Sequence, residues 1–544
     1  MHLHRLHPAG AALLLAALAA PAHAQTPACT PAYTVPATPT AQPPIVEASN
    51  TPVAITITPA LTTLGGCTFG RNLYQVAGHP AAYAPPTLHI DPGASLSLSV
   101  NNQMSTQVDT SYHSTTTNFH FHGFNVTPGR RGGSNNAGDQ VVTVAYPFST
   151  THAYQFTLPN AHPMGMHWYH PHPHEFTDEQ VAGGMSGAIL VGDIRALRLP
   201  ANTGMPQRVL LLKDFQPQGP NGAAAAVFTL NGAWPALFTL DAGTAQLWHV
   251  GNVGADTYAG VALLDSALAA ATPISGNRVD SAYVVSAVAS GASPAVIPFI
   301  VLSMDGNGLV TPDTVTSLTL SPAVRYSAVV QAPNRPGKTY LLVNTVTSGA
   351  QNGSVGDILG VVRLTGSGAA PAAIAITTDT AARRKIGDLQ SAAVTGPQTF
   401  TFSSSATTPT FFINGQTYDH GRIDVYVQQG ATQDWTLINA DTGAAVLSPH
   451  VFHIHQGDFL VTSRNGTALP ANVLQDRLSI APGDTMVVRI PFTEEFQTGI
   501  YVFHCHILFH EDHGMMKNVC IYPSYLDESS GKTWCDVQLA TSAG

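Results

Sequence analysis

Residues 501–516, YVFHCHILFHEDHGMM, place four histidines, one cysteine and two methionines within sixteen positions. Imidazole, thiolate and thioether groups are ligands for copper and zinc, so this stretch has the composition of a metal site. Residues two apart on a strand face the same side, which puts His504 and His506 on one face and Cys505 on the other. The stretch therefore predicts ligands for two different metal sites on the two faces of one strand.

Three more pairs of histidines repeat the H-x-H spacing, namely His120/His122, His170/His172 and His453/His455. His120 and His170 are 50 residues apart, and His453 and His504 are 51 residues apart. Eight neutral imidazole nitrogens suit copper or zinc, whereas Ca²⁺ and Mg²⁺ prefer oxygen. His174 continues the run HPHPH and offers another register, but the matched interval favours His170 and His172. We predict that one face shared by two domains gathers all eight imidazoles.

On its own side of the strand, Cys505 can be joined by three further ligands, His450, His510 and Met515. Two imidazoles, one thiolate and a weak axial thioether form the blue-copper electron-transfer site. Zinc suits the histidine pairs but gives no reason for this second set. Because Cys505 lies directly between two cluster histidines, electrons that reach the thiolate have a short covalent path to the cluster.

A repeated pattern organises the whole chain. Three segments, TLHIDPGASLSLSVNN, LFTLDAGTAQLWHVGN and IDVYVQQGATQDWTLIN, alternate apolar and polar residues around a glycine and reach an asparagine nine residues later. The pairs are Gly93/Asn102, Gly243/Asn252 and Gly430/Asn439. This β-hairpin pattern predicts three homologous β-domains. Between residues 201 and 400 the only histidine is His249, so we expect the middle domain to be scaffold or a substrate-side wall without a metal.

The N-terminal sequence predicts export. An apolar run from Ala11 to Ala20 precedes Ala22-His23-Ala24, a small-residue cleavage pattern, and the run is too short to span a bilayer. We expect a periplasmic or extracellular protein without a membrane anchor. The predicted divisions are a signal at 1–24, a Pro/Thr/Ala-rich lead-in at 25–45, and domains at 46–196, 206–367 and 396–544.

Composition and the cysteine count limit the classes of partner and the disulfide pairings that we expect. The charged fraction is 10% and the net charge is −10, with no basic patch, which argues against nucleic acid as a partner. Five cysteines leave one thiol over in an oxidising compartment, and its neighbours identify Cys505 as that thiol. Short loops favour Cys29–Cys67 and Cys520–Cys535, with a link between the two chain ends as the alternative.

These motifs resemble those of the three-domain multicopper oxidases, a family that includes laccases. The family pattern H-x-H-G, H-x-H, H-x-x-H-x-H and H-C-H-x-x-x-H-x-x-x-x-M is matched by HFHG, HPH, HVFHIH and HCHILFHEDHGM. The resemblance covers essentially the whole chain after the signal. It implies an all-β protein of three tandem cupredoxin-like Greek-key domains, each a β-sandwich or barrel.

The resemblance also implies a ligand for every position of a four-copper set. The type 1 copper would take His450, Cys505 and His510, with Met515 axial, and the type 2 copper would take His120 and His453. One type 3 copper would take His122, His170 and His506, and the other would take His172, His455 and His504. In domain one, Pro171 stands where Cys505 would be and Thr117 where His450 would be, so only one type 1 copper is expected.

The sequence identifies the residues for proton delivery less completely than the copper ligands. The resemblance implies that Glu511 relays protons toward bound oxygen. The family often has another acid soon after the first H-x-H-G, but here the chain has Arg130 and Arg131 and no acid until Asp139. The sequence therefore leaves the second proton-carrying acid open.

The implied reaction is laccase-like, with one-electron oxidation of phenolic or aromatic-amine donors coupled to four-electron reduction of O₂ to water. An exposed edge of His450 or His510 would accept the electrons. The alternative is a metallo-oxidase for Cu⁺, Fe²⁺ or Mn²⁺, for which carboxylates near the type 1 site would be needed, with Asp434, Asp441 and Asp458 as candidates. A non-catalytic copper-binding protein is the third possibility, although such a chain is expected to have lost ligands.

Overall fold

The computed structural model describes residues 32–540, except 109–111, 130–137, 143, 216–226, 270–276, 294, 347–353, 369 and 443–447. The predicted export signal at 1–24 and Cys29 of the predicted Cys29–Cys67 pair lie outside the described residues. No helix among the described residues is both long and apolar enough to cross a membrane.

The first domain is built from two sheets. Its strands are β1 (Ile45–Glu47), β2 (Pro52–Leu64), β3 (Cys67–Val76), β4 (Thr87–Ile90), β5 (Ser95–Asn102), β6 (His120–His122), β7 (Thr151–Thr157), β8 (Gly165–His170) and β9 (Gly187–Val191). One sheet has the order β1-β4-β9-β8-β6 and the other β3-β2-β5-β7. Both sheets contribute to one apolar core.

The second domain repeats the two-sheet plan. Its strands are β10 (Gln207–Phe215), β11 (Val227–Leu230), β12 (Ala236–Asp241), β13 (Ala245–Asn252), β14 (Ala259–Asp265), β15 (Val296–Ile297), β16 (Phe299–Met304), β17 (Asn307–Val315), β18 (Leu318–Leu320), β19 (Arg325–Gln331), β20 (Thr339–Val343) and β21 (Ile358–Thr365). One sheet has the order β11-β10-β13-β19-β16-β17. The other has the order β12-β21-β20-β14-β15, with β18 also paired to β14.

The third domain matches the first. Its strands are β22 (Gln398–Ser404), β23 (Phe411–Ile413), β24 (Val425–Gln428), β25 (Ala431–Asn439), β26 (His450–Ile454), β27 (Leu460–Arg464), β28 (Thr467–Ala468), β29 (Arg477–Ile480), β30 (Thr485–Phe492), β31 (Gly499–Cys505) and β32 (Met516–Tyr522). The sheets have the orders β23-β22-β25-β30-β27-β28 and β24-β32-β31-β26-β29. The predicted all-β architecture of three tandem two-sheet domains is confirmed, while the predicted boundaries stay predictions.

Helices are short and lie between or beside the sheets. They are α1 (Thr177–Ala182), α2 (Ile194–Arg198), α3 (Ser266–Ala269), α4 (Ser281–Ser290), α5 (Thr380–Ser391), α6 (Leu508–Asp512) and α7 (Glu528–Ala540), with single 3₁₀ turns at Pro200–Asn202 and Glu495–Gln497. The predicted Cys520–Cys535 disulfide is confirmed and ties α7 to β32. One apolar cluster, Val181, Ala255 and Leu508, takes one residue from each domain, so the three domains meet beside α1 and α6.

The repeated segments form equivalent strands. β5, β13 and β25 each lie between one parallel neighbour and one antiparallel neighbour. Each ends in a buried asparagine that closes the following loop. Asn252 donates to the carbonyls of Thr257 and Leu320 at 2.8 and 3.0 Å and accepts from the Gly254 N–H at 3.2 Å. Asn102 and Asn439 make the same set of three bonds, so the repeat seen in the sequence is a repeat of structure.

We expect Asn252→Ala to lower the apparent Tm by about 5 °C or more. Asn252 is 1% exposed, and its removal leaves two carbonyls and one N–H without partners. Each buried polar group left unsatisfied costs about 1–3 kcal/mol. Thermal unfolding followed by circular dichroism measures the shift, with the exposed Asn334→Ala as the matched control. Equal melting of the two variants would contradict this role for Asn252.

Candidate metal centres

Paired strands bring the four H-x-H pairs together. In domain one, β6 runs antiparallel to β8 and places His120 opposite His170. In domain three, β26 runs antiparallel to β31 and places His453 opposite His504 in the same way. All eight histidines are at most 2% exposed. We call these residues the histidine cluster, comprising His120, His122, His170, His172, His453, His455, His504 and His506.

The cluster spans domains one and three. His172 Nε2 and His455 Nε2 lie 3.2 and 3.3 Å from His504 Nε2, and His122 Nδ1 lies 3.2 Å from His506 Nε2. The nitrogens fall into three groups, each with its ligand atoms within 4.8 Å of one another: His120/His122/His453, His122/His170/His506 and His172/His455/His504. Two of these groups have the membership expected of the two type 3 coppers. The structure thus brings together all eight predicted cluster residues, and His174 lies outside those groups.

The chemistry of the cluster fits a bound cation. His170 Nδ1 donates to the Pro171 carbonyl at 2.8 Å and His453 Nδ1 donates to the Asp476 carbonyl at 2.6 Å. These bonds fix the tautomer and leave each Nε2 with a lone pair. Both Nε2 atoms are buried without a hydrogen-bond partner, as is that of His120. Burial and the neighbouring histidines lower the pKa of all three, so the rings are neutral.

A second group surrounds the free thiol of Cys505. We call it the thiolate site, comprising His450, Cys505, His510 and Met515. Cys505 Sγ lies 3.8 Å from His450 Nδ1 and 3.6 Å from His510 Nδ1, and the two nitrogens are 3.3 Å apart. Met515 is fully buried in the same core, and its N–H donates to the His510 carbonyl at 3.0 Å. Two imidazoles and a thiolate with a nearby thioether are the donor set of a blue-copper site.

The thiol also fits a metal ligand by its surroundings. Burial raises the pKa of Cys505 to about 12, although the Val451 N–H donates to Sγ at 3.3 Å. A thiolate in this position therefore needs a cation beside it. The two centres adjoin along the chain, because Cys505 faces the thiolate site while both of its neighbours belong to the histidine cluster.

Of the two imidazoles in the thiolate site, the structure favours His510 as the exposed edge. His510 is 7% exposed, whereas His450 is fully buried. His450 Nε2 is capped by Asp441 Oδ2 at 3.0 Å. The ring of Phe411 stacks on His510, with centroids 4.0 Å apart. Of the two imidazoles, His510 is therefore the one nearer to solvent.

Glu511 bridges the two outer domains at the edge of the cluster. Its Oε2 lies 2.9 Å from His504 Nδ1 and its Oε1 lies 3.4 Å from His172 Nδ1. The side chain is fully buried. Among the predicted site residues, it is the acid that touches the histidine cluster.

Asp139 contacts the histidine cluster, and the sequence had not assigned it a role. Its Oδ2 lies 2.7 Å from His120 Nδ1, and its Oδ1 accepts from the Phe121 N–H at 3.1 Å. It is 1% exposed, and burial raises its pKa to about 8. Asp476 plays a similar part in domain three, where its carbonyl holds His453. Each acid follows the first cluster histidine of its domain by about twenty residues (19 and 23), but Asp476 acts through its backbone carbonyl, so this spacing alone does not identify either residue.

The three carboxylates that the sequence offered for a metal-ion substrate do not lie together. Asp441 lies at the thiolate site, but Asp434 pairs with Arg489 at 2.7 and 2.9 Å. Asp458 is bound by Asn307 at 2.8 Å and by Asn125 at 3.3 Å.

A different acidic group adjoins α6. Asp256 accepts from the Phe509 N–H at 3.0 Å, and Asp512 accepts from the Asp178 N–H at 2.7 Å. The side chains of Asp178 and Asp256 share a hydrogen bond, and burial raises the pKa of both. The three acids are half-buried and come one from each domain. Asp512 belongs to α6, the helix that carries His510. Asp178 and Asp256 each form a hydrogen bond with a residue of that helix.

Comparison with known proteins places both centres in matched regions. Family profiles described as "Multicopper oxidase" match residues 67–195 and 391–524, which contain all the predicted ligands. A bilirubin oxidase from Albifimbria verrucaria is 27% identical over 387 residues, covering 68% of this chain and 63% of that protein. The multicopper oxidase mco of Staphylococcus haemolyticus is 36% identical over 109 residues, covering 20% of this chain and 24% of that protein. The chain thus spans less than two thirds of the length of these curated relatives.

Solved structures extend the match to the whole fold. The crystal structure of a multi-copper oxidase from Pediococcus acidilactici aligns with a TM-score of 0.67 at 18% identity, covering 91% of this chain and 94% of that one. At this identity the match supports the fold alone, and it confirms the expected cupredoxin-like domains.

Proposed function

Because the chain belongs to the multicopper oxidase family, we propose that it is a laccase-like oxidase that takes single electrons from small aromatic donors at the thiolate site and reduces O₂ at the histidine cluster. The proposal includes four coppers, one held by the thiolate site and three by the eight cluster histidines. Bound copper would supply the redox chemistry, accepting electrons singly and delivering four to each O₂ to give two water molecules.

One observation carries the proposal. On β31, Cys505 faces His450 and His510, while the residues on either side of it place nitrogens in the cluster. Three consecutive residues thus connect both centres covalently. A protein that only stored copper would have no use for a thiolate joined in this way to a second cluster of imidazoles.

The chain's own groups complete the reaction. Each O₂ needs four protons, and Glu511 Oε2 lies 2.9 Å from His504 Nδ1, where a carboxylate whose pKa the neighbouring histidines lower can accept a proton and pass it on. Its burial keeps bulk water from competing for that position. Asp139 and Asp476 fix rings on the other side of the cluster, so the imidazoles keep their orientation as charge moves.

The donor class is the finer part of the proposal. His510 offers a narrow exposed edge stacked on Phe411, which suits outer-sphere electron transfer from flat phenols and aromatic amines. A metallo-oxidase is the second candidate, and the observation that favours it is the group of Asp178, Asp256 and Asp512 around the turn that carries His510.

We also propose that the protein acts outside the cytoplasm, in the periplasm or the extracellular medium. The predicted signal at 1–24 and the Cys520–Cys535 disulfide support this, since disulfides persist in oxidising compartments.

Oxygen uptake by the copper-loaded protein tests the donor class. A methoxyphenol, bilirubin, Cu⁺, Fe²⁺ and Mn²⁺ are supplied in parallel, and kcat/KM is compared. We expect the aromatic donors to exceed the metal ions at least tenfold. Faster uptake with a metal ion, abolished by Asp256→Asn, would transfer the assignment to the metallo-oxidase. No uptake with any donor, despite full copper loading, would contradict an oxidase altogether.

A further inference from the structure

One described side chain of the middle domain reaches Asp476, a residue that contacts the histidine cluster. Arg325 is the first residue of β19 and is fully buried. Its Nη1 and Nη2 donate to the two carboxylate oxygens of Asp476 at 2.9 and 2.7 Å. Its Nε donates to the carbonyl of Met166 on β8 at 3.2 Å. This guanidinium therefore joins a carboxylate of domain three to the strand of domain one that carries His170.

Asp476 in turn lies beside two cluster histidines. Its carbonyl accepts from His453 Nδ1 at 2.6 Å, and its Oδ1 lies 3.5 Å from His122 Nε2. The two rings come from different domains and stack with centroids 4.0 Å apart. Asp476 thus fixes His453 through a hydrogen bond and places its carboxylate beside the His122 ring, in a pair that spans the domain interface.

The backbone beside His122 is shaped for this arrangement. Gly123 has φ of +82°, and a Cβ there would lie 2.5 Å from Asp476 Oδ2 and 2.7 Å from Arg325 Nη2. A side chain at this position would push the carboxylate and guanidinium away from the cluster. The glycine of the HFHG motif is therefore the place where domain one makes room for the ion pair.

A planar fork is needed to hold the carboxylate. Two parallel N–H···O bonds from an arginine fix both the position and the plane of a carboxylate, which a lysine does as a point charge only. Arg325 also donates to the Ala323 carbonyl at 3.0 Å, so its own orientation is fixed from within its domain. The neighbouring Arg477 pairs with Asp305 at 3.2 Å, and Asp305 also accepts from the Arg325 backbone N–H at 3.2 Å and lies 3.6 Å from Arg325 Nη1.

We propose that Arg325 is a positioning residue for the histidine cluster, which acts through Asp476 to set the orientation of His122 and His453. The middle domain thereby controls the geometry of a centre whose histidines come from the other two domains. This inference rests on the proposed function only in assigning copper to the cluster.

The test compares Arg325→Lys with Arg198→Lys in the copper-loaded, full-length protein. Arg198 is the matched control because it is also fully buried and donates to three carbonyls, those of Thr377, Leu302 and Leu309, without touching a cluster residue. Electron paramagnetic resonance resolves the type 1 and type 2 coppers in one spectrum. The type 1 signal serves as the internal reference for correctly folded, loaded protein.

In Arg325→Lys we expect an altered type 2 signal and a fall of about 10- to 100-fold in the copper affinity of the cluster, with the type 1 signal retained. In Arg198→Lys both signals should match the parent. An Arg325→Lys spectrum identical to that of Arg198→Lys, or equal loss of both signals in the two variants, would overturn the proposal.

Asp476→Asn provides a second test of the role of Arg325 if Arg325→Lys does not fold. It keeps the carbonyl that holds His453 and the size of the side chain, but removes the charged partner of the guanidinium. We expect a changed type 2 signal beside a parental type 1 signal, and an unchanged type 2 signal would overturn the proposal. Because the spectra are recorded without a donor, a failure of the oxidase assignment would leave this result readable.

Discussion

Cys505→Ser is expected to abolish the blue absorption and to reduce donor-dependent O₂ uptake to the uncatalysed background. The hydroxyl of serine does not replace a thiolate as a soft ligand between His450 and His510, and the covalent link from donor side to cluster is lost. The cluster histidines lie on the other face of β31, so the type 2 signal should persist. Visible absorption, electron paramagnetic resonance and oxygen uptake on the same sample measure these three effects.

Met516→Leu is the matched control for Cys505→Ser. Met516 is 2% exposed and lies opposite His504 across β31 and β32, but it is not part of the thiolate site. A volume-conserving change there should keep both the colour and the uptake. Retention of donor-dependent uptake in Cys505→Ser would contradict the role of the thiolate as the path to the cluster.

Glu511→Gln is expected to lower kcat for O₂ reduction by about 100-fold or more, the contribution typical of a positioned proton donor. The amide keeps the shape of the side chain between His504 and His172 but can no longer accept and release a proton. Reduction of the thiolate site should continue at the parental rate, because Glu511 does not contact Cys505. Stopped-flow bleaching by a donor without oxygen, followed by reoxidation with O₂, separates the two steps.

Asp512→Asn provides the comparison for Glu511→Gln. Asp512 is the next residue and also an acid, but its carboxylate accepts from the Asp178 N–H and not from a cluster histidine. We expect its reoxidation rate to stay within a few-fold of the parent. Equal reoxidation rates in Glu511→Gln and the parent would remove Glu511 from proton delivery.

The H-x-H pairs could be read from the sequence because a strand turns local spacing into direction. The period of two applies strictly to His120 and His122 on β6, and the matched intervals identify the partner strands. In the other three pairs the first histidine is on a strand and the second, His172, His455 or His506, lies just beyond its end. The buried asparagines Asn102, Asn252 and Asn439 were visible as a repeat for the same reason. Each occupies a fixed offset from a glycine turn, and each closes the same loop.

The residues around the ligands were less accessible to sequence reasoning because their partners are far apart in the chain. Arg325 and Asp476 are separated by 151 residues and belong to different domains. Nothing in the local pattern of β19 distinguishes Arg325 from a surface arginine at a strand end. Asp441 was a candidate in the sequence, but its place beside His450, nine residues further on, could not be read from the pattern.

The expectation for the middle domain was accordingly incomplete. The expectation that a nearly histidine-free segment supplies no ligand stays a prediction, and ligand counting does not register a guanidinium that acts through another residue. Asp139 was left open because the interval after HFHG contains no acid at short range, whereas the chain returns to His120 only after 19 residues. Distances across loops of this length follow from the tertiary structure.

The stoichiometry of the reaction tests the central claim most directly. A methoxyphenol is added in measured amounts to the copper-loaded protein in air-saturated buffer, and oxidised donor, O₂ consumed and H₂O₂ formed are quantified together. If the thiolate site and the histidine cluster act as one unit, four donors are oxidised for each O₂ and no H₂O₂ accumulates. Two donors for each O₂, with one H₂O₂ released, would show that the cluster does not complete the four-electron reduction and would contradict the account.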